Sequence, residues 1–289
     1  MDFLNTPIKT HLKWGTLNKC IYEEPSLNLY PEIKLVSPKK YIGIEVEAEN
    51  LGQLKTYNKS FWGMREDGSL RNNGMEFVSM PICGEQIKIA IHELFINNLP
   101  KNVDFSERTS IHIHINMRDA LCKDILNLQL LYIIFERLFY KFAGPTRYNN
   151  IFCVPIQETK LPISIRDYLI TENILDFIKH WQKYSGLNLA TLRSFGTVEY
   201  RHMQGHRDPI YLLNWINIIF RLHKYVKKSN FILLFNHIQT LNNTSLYEEL
   251  VDQVFGEDSK YLLSNTLKED MEHGVSVVKS ITLPSFFIK

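Results

Sequence analysis

The sequence predicts an α+β protein: an antiparallel β-sheet with helices packed on one face and an active site on the other. Two observations carry this expectation. Several segments alternate ionisable and apolar residues with the two-residue period of a half-buried strand. Between them, helix-like stretches fall at irregular intervals, without the βαβ alternation that a parallel sheet requires.

The elements follow in order. YIGIEVEAEN (41–50) reads as a strand, and a polar loop leads to the turn signals Asp67-Gly68 and Asn73-Gly74. GMEFVSM (74–80) is a second strand. Ile87, Ile91, Leu94 and Phe95 recur at helical spacing and predict a helix over 85–98. SIHIHINM (110–117) is a third strand. Asp119 is placed to cap a long helix through about Phe142, apolar nearly all round and therefore buried. A loop rich in Pro, Arg and Asn (144–155) precedes a helix near 167–181 and a fourth strand, GTVEYRHM (196–203). Asp208-Pro209 reads as N-cap and first-turn proline of the apolar helix that follows. The remainder reads as helical, with SITLPSFFIK a last strand or tail.

Of 289 residues, 45% are hydrophobic and 22% charged, the balance of a globule with a sizeable core. With no repeat or Gly/Ser-rich linker, the reading is an N-terminal extension (1–40), a catalytic core (41–228) and a C-terminal helical portion of the same domain (229–289). A net charge of +2 gives no global reason to expect nucleic-acid or membrane-surface binding, and Lys224, Lys227 and Lys228 suit the C-terminal end of a helix dipole. The start of the chain has no apolar signal core, and apolar runs are interrupted by charge too soon to span a bilayer. The four cysteines, Cys20, Cys83, Cys122 and Cys153, form no CxxC pair, which predicts reduced thiols and a cytoplasmic protein.

Strand alternation sorts the ionisable residues. Glu45 and Glu47 share a face opposite Ile44, Val46 and Ala48; His112 and His114 lie opposite Ile111, Ile113 and Ile115; Glu199 and Arg201 lie opposite Val198 and Tyr200. Glu76 stands between Met75 and Phe77. Each strand alone reads equally well as half-exposed to water. Glutamate is depleted in strands, however, and like charges along one face repel, so four such strands favour one shared site. Gathered glutamates need cations, and hard divalent ions such as Mg²⁺ or Mn²⁺ prefer oxygen ligands. An arginine beside them makes sense if an anion such as phosphate also binds. The chain contains no GxxxxGK[ST] and no strand-turn-helix GxGxxG, so any nucleotide would be held by metals and arginines.

These segments in this order, GIEVEAE, W-G-x-x-x-D-G-S-L, G-M-E-F-V-S-x-P, S-I-H-I-H-I-N, L-N-L and T-V-E-Y-R-H, resemble the amidoligases of phages and bacteria, relatives of glutamine synthetase and glutamate–cysteine ligase. The resemblance covers roughly residues 41–220. It implies a glutamine-synthetase-like sheet and an ATP-dependent carboxylate–amine ligase that forms an amide through an acyl phosphate, with ATP and Mg²⁺ or Mn²⁺. It implies metal ligation by Glu45, Glu47, Glu76, His112 and Glu199, with His114 nearer nucleotide or substrate. Arg201 matches the arginine that contacts the transferring phosphate, making Arg201 and Glu199 catalytic. Arg193 (catalytic) and Arg147 (nucleotide) are further candidates for phosphate or a substrate carboxylate. Asp67 and Ser69 would hold substrate or simply form an Asx turn. The implied partners are small-molecule or polymer-borne carboxylates and amines, with nucleic acid only as the carrier of a modified base and no membrane. Abundant Asn, Ile and Lys suit an AT-rich genome, hence a phage protein in host cytoplasm or a low-GC bacterium.

Three alternatives stand beside this reading. A zinc-dependent hydrolase would use His112 and His114, but His92, His180, His202, His206, His223, His237 and His273 do not supply the further ligands at matching spacing. A phosphotransferase would share the metal site. A non-catalytic binding or structural protein would tolerate loss of the acidic positions, which are all intact here. His202 and His206 read as capping and packing residues, and Trp62, Trp181 and Trp215 as core or rim aromatics.

Overall fold

Ile42, Ile44, Val46 and Ala48 alternate along one edge of the segment Ile42–Ala48, and burying that edge makes it the central strand β1. The structure, a computed structural model, describes residues 2–8, 29–52, 61–179 and 181–284. Around β1 it places β2 (Trp62–Arg65), β3 (Met75–Ser79), β4 (Ser110–Asn116), β5 (Leu187–Asn188) and β6 (Thr197–Gln204). These form a six-stranded antiparallel sheet in the order β2-β3-β1-β4-β6-β5. The short strands β2 and β5 are additions to the expected set. Two and four residues carry too little periodicity to show in sequence, and pairing with β3 and β6 makes them strands.

One sheet face is apolar and fully buried through Ile44, Val46, Phe77, Ile111, Ile113, Ile115, Val198 and Tyr200. Each such side chain contributes roughly 1.5–3 kcal/mol by burial. A one-residue slip of β1 would bury Glu45 and Glu47 instead, so the core sets the face on which the carboxylates stand. Between Ile111 and Ile113 the β4–β6 register shifts by a bulge, so His202 and Met203 both lie on the core side while Glu199 and Arg201 keep the open one.

The helices are α1 (Glu85–His92), α2 (Cys122–Ala143), α3 (Leu161–Thr171), α4 (Ile174–Lys179), α5 (Thr191–Ser194), α6 (Pro209–Lys228), α7 (Phe231–Thr240), α8 (Thr244–Phe255) and α9 (Leu267–Lys279). Helix α2 is buried almost all round and lies between the sheet and α6 and α9. Asp208 caps α6 by accepting from the backbone N–H groups of Ile210 and Tyr211, with Pro209 in the first turn, as its sequence predicts. None of the helices among the described residues is long and apolar enough to cross a membrane.

Several expectations are corrected. Asp119 does not cap α2; it pairs with Lys40 at 3.1 Å and Lys227 at 2.6 Å, and Asp124 instead accepts from the Leu121 backbone N–H. The stretch predicted helical over 85–98 changes to a π-helical turn at Glu93–Asn98. The helix expected near 167–181 is two helices, α3 and α4, divided where Glu172 takes a left-handed φ of 54°. Among the described residues, Cys122 and Cys153 are free and buried. Cys20, residues 9–28 of the N-terminal extension and 285–289 of the final segment lie outside the described residues.

Two features of the core have measurable consequences. Gly274 lets α9 meet α2 closely, because a Cβ there would stand 2.3 Å from the Ile133 carbonyl oxygen and 2.8 Å from Ile134 Cα. Helix propensity favours alanine over glycine by about 1 kcal/mol, but overpacking of this kind costs about 1–3 kcal/mol. Gly274→Ala is therefore expected to lower Tm, reversing the sign that propensity alone gives. Behind β6, Glu136 is fully buried and accepts from the Ile156 and Gln157 backbone N–H groups and the Tyr132 hydroxyl, which also bonds His202 Nε2 at 2.7 Å. Burial pushes the Glu136 carboxyl up to about 7. The folded state then holds a proton that the unfolded chain has released, so this group costs stability as pH rises from about 4.5 to about 7. Glu136→Gln sets an amide N–H against one of the backbone donors, at a cost of about 1–3 kcal/mol. The Tm difference between variant and parent is expected to narrow as pH rises through that window.

Candidate active site

Strand register assembles the site. Across β3, β1, β4, β6 and β5, Glu76 stands opposite Glu47, Glu45 opposite His112, His114 opposite Glu199, and Glu199 opposite Asn188. Opposing side chains on one face start about 5 Å apart. The result is a cavity of about 540 Å³ on the open face, with Asp67, Ser69, Arg147 and Arg201 also in its walls.

The polar contacts interlock. His112 Nδ1 lies 3.1 Å from Glu45 Oε2 and 3.3 Å from Glu199 Oε1, and its Nε2 is 2.7 Å from Ser110 Oγ. Ser110 donates in turn to Glu47 Oε2 at 2.6 Å. His114 Nδ1 meets Thr197 Oγ1 at 3.0 Å, while its Nε2 is buried without a hydrogen-bond partner, 3.4 Å from Glu45 Oε1. Asn188 donates to Glu199 Oε2 at 2.7 Å, Arg201 donates to Glu199 Oε1, and Arg201 Nε donates to the Phe152 carbonyl at 3.2 Å. Arg65 reaches over the sheet to donate to Glu76 and, at 3.1 Å, to Glu45.

The titration behaviour shows how much positive charge the cluster demands. Burial favours a neutral Glu45, but the hydrogen bond with His112 and the nearby charges of His112 and His114 outweigh it and hold the carboxyl far below its ordinary value. Glu199 is also held down: burial opposes ionisation, and the charges of His112 and Arg201 overcome it. Glu76 goes the other way, raised by burial and by the nearby Glu45 carboxylate despite its Arg65 partner. Burial lowers His114, yet Glu45 and Glu199 raise it above the usual histidine value.

The donor set fits divalent cations. Ligand atoms of Glu45, Glu76 and His112 all lie within 4.8 Å of one another, and so do those of Glu45, His114 and Glu199. Glu45 belongs to both groups, and the unpartnered His114 Nε2 faces into the second. Carboxylate oxygens in the majority suit Mg²⁺ or Mn²⁺ better than zinc.

Glu45, Glu47, Glu76, His112, His114, Glu199 and Arg201 therefore converge in one cavity. Asp67 accepts from the Ser69 N–H at 2.7 Å and the Ser69 hydroxyl at 2.6 Å, so the Asx turn is formed and both residues line the cavity. Arg147 is 1% exposed at the cavity floor. Arg193 is not brought in: Thr191 and Ser194, one turn apart on α5, line the cavity, which leaves Arg193 on the exposed side of that short helix. His202 packs behind the sheet against Tyr132, Tyr140 and Trp215, and Trp62 and Trp215 are buried in the core. Sequence reasoning passed over Ser110, Asn188 and Arg65. Ser110 shares the His112 face by simple alternation, and Asn188 stands in the quoted L-N-L segment. Nothing in the sequence marks Arg65 until β2 is paired with β3.

A six-stranded antiparallel sheet with helices behind it and a carboxylate–histidine cavity in front defines an α+β protein whose site is built to hold positive charge. The profile of a family described as putative amidoligase enzyme matches residues 35–223, well over half of the chain, and the protein belongs to that family. Among solved structures, a bifunctional glutathione synthetase from Pasteurella multocida superposes with a TM-score of 0.44 at 11% identity, over 83% of this chain and 48% of the other. The chain thus spans about half the length of that protein. No curated protein matches by sequence.

If the cluster binds cations, saturating Mn²⁺ at a hundredfold excess over Kd adds about 2.7 kcal/mol of stability. Thermal melts are expected to show that rise for the parent and lose it in Glu45→Ala, which strips a ligand from both groups.

Proposed function

We propose that the protein is an ATP-dependent carboxylate–amine ligase, forming an amide bond through an acyl-phosphate intermediate. The observation that carries this reading is the convergence of four glutamates and two histidines on one sheet face, with Arg201 among them. We assign the chemistry to residues 41–228, with 229–289 as a helical support that shares the core.

Glu45, Glu47, Glu76, His112 and Glu199 are the residues that would hold Mg²⁺ or Mn²⁺, with His114 completing the Glu45–Glu199 group. Bound cations there would neutralise the β- and γ-phosphates of ATP and align them for transfer. The acid's carboxylate oxygen attacks the γ-phosphorus and ADP leaves. The amine nitrogen then attacks the acyl carbon, phosphate leaves, and the nitrogen gives up its proton. Arg201 is fixed by Glu199 on one side and the Phe152 carbonyl on the other, and its guanidinium would meet charge on the moving phosphoryl group without first having to reorganise. Asp67 and Ser69, fastened together in their turn at the cavity wall, would orient a substrate polar group. The cavity, at about 540 Å³, has room for a triphosphate and an acid side by side.

Release of phosphate from ATP, followed while carboxylic acids are paired with amino acids, polyamines and modified nucleobases, tests this reading. An active pair is expected to require Mg²⁺ or Mn²⁺. Glu199→Ala and Glu45→Ala should each lower the rate about a hundredfold or more, whereas Lys227→Ala, on the far helical side, should leave it unchanged. Tightly retained zinc with hydrolysis that ignores ATP would overturn the proposal.

A further inference from the structure

We propose that the end of the cavity floored by Arg147 is a second anion subsite, so that the acid this enzyme joins carries another anionic group besides the reacting carboxylate. This rests on the ligase reading above and deepens it by naming the substrate class.

The two ends of the cavity differ in chemistry. Past Glu45, Arg65 and His114, towards the start of β1, a hollow of about 220 Å³ continues it. Its walls are largely apolar, with Tyr41, Val78, Pro81 and Phe195, and the Phe195 ring stands edge-on to His114 at 6.2 Å. Such walls suit a nucleobase, whose phosphates would then run towards the carboxylate cluster. The opposite end, past Glu47 and Ser110, is lined by Arg108, Arg147, Lys183 and Arg201.

Arg147 is the informative residue there. Its guanidinium is buried, and Nη2 donates to the Arg201 carbonyl oxygen at 3.3 Å, while Nε and Nη1 have no hydrogen-bond partner. Among the described residues neither Arg147 nor Lys183 forms an ion pair. A cation taken out of water without a counter-charge is costly, and the fold retains this one beside a second arginine. Lys183 sits at the mouth, its ammonium 5.4 Å from the Tyr184 ring centroid, and Arg201 lies 5.9 Å from the same ring. An anion at this end would meet Lys183 directly and the buried field of Arg147 from below, in the same cavity as the carboxylate cluster. Arg201 is already committed to Glu199 and the phosphoryl group, and Arg108 pairs with Glu49 at 3.5 Å, which leaves Lys183 and Arg147 for the second anion.

Isothermal titration of the full chain with Mn²⁺ and the non-hydrolysable analogue AMP-PNP tests this, using succinate, glutarate and L-glutamate as two-carboxylate probes and butyrate as a one-carboxylate control. At least one two-carboxylate probe is expected to bind about tenfold or more tighter than butyrate. Lys183→Ala should weaken that probe about tenfold while leaving Mn²⁺ and AMP-PNP affinity within about twofold. Arg147→Met should weaken it further and Arg147→Lys less, and Lys183→Ala carries the test if the buried variants do not fold. The proposal is overturned if butyrate binds equally well, if no two-carboxylate probe binds, or if Lys183→Ala weakens AMP-PNP instead, which would make this end a nucleotide-phosphate site. Failure of the ligase reading shows separately, as absence of AMP-PNP binding in the acid-free titration. Two-carboxylate binding that depends on Lys183 sustains the subsite even then.

Discussion

Four carboxylates within reach of one another on a single sheet face repel strongly, and the geometry of the site is organised around relieving that repulsion. Glu45 is the pivot. It stands on the central strand, touches His112, His114 and Arg65, and belongs to both groups of ligand atoms that lie close enough for one cation. Several donors lean inward: Ser110 on Glu47, Asn188 and Arg201 on Glu199, Arg65 on Glu76 and Glu45. The upward shift of Glu76 and the unpartnered nitrogen of His114 mark where these donors fall short. A charge deficit of this kind is what a divalent ion relieves.

Stability for such a cluster has to come from elsewhere, and it comes from the reverse of the sheet. The apolar residues that alternate with the site residues are fully buried against α2 and α6, so the same strands carry core and chemistry on opposite faces. Beneath β6 the packing is especially close. A Cβ on Gly186 would fall 2.6 Å from the Tyr132 hydroxyl oxygen and 2.9 Å from His202 Nε2, so only glycine lets the Arg201 strand settle onto the Glu136–Tyr132–His202 network. A rigid backing of this sort holds Arg201 and Glu199 in place before any substrate arrives.

Legibility was uneven, for physical reasons. The strands that carry Glu45, His112 and Glu199 were readable because one face of each is buried, which imposes a two-residue period. The α6 start was readable because Asp-Pro has one good use at that position. Asp119 misled because two lysines, Lys40 and Lys227, brought from distant parts of the chain, compete for it more effectively than a helix end does. Arg193 misled because proximity in sequence to Glu199 says nothing about the side of α5 on which it projects.

By itself, then, the sequence determined the face of each strand, the acidic and basic residues those faces present, and the family to which the chain belongs, since these follow from local alternation and ordered motifs. Tertiary structure alone decided that Glu76 meets Glu47, that Arg65 enters the cluster, that Arg193 stays out, and that Arg147 lies buried with no ion-pair partner among the described residues. Those facts depend on strand order and register, which join residues up to about 150 positions apart, such as Glu45 and Glu199, and no local pattern encodes such distances.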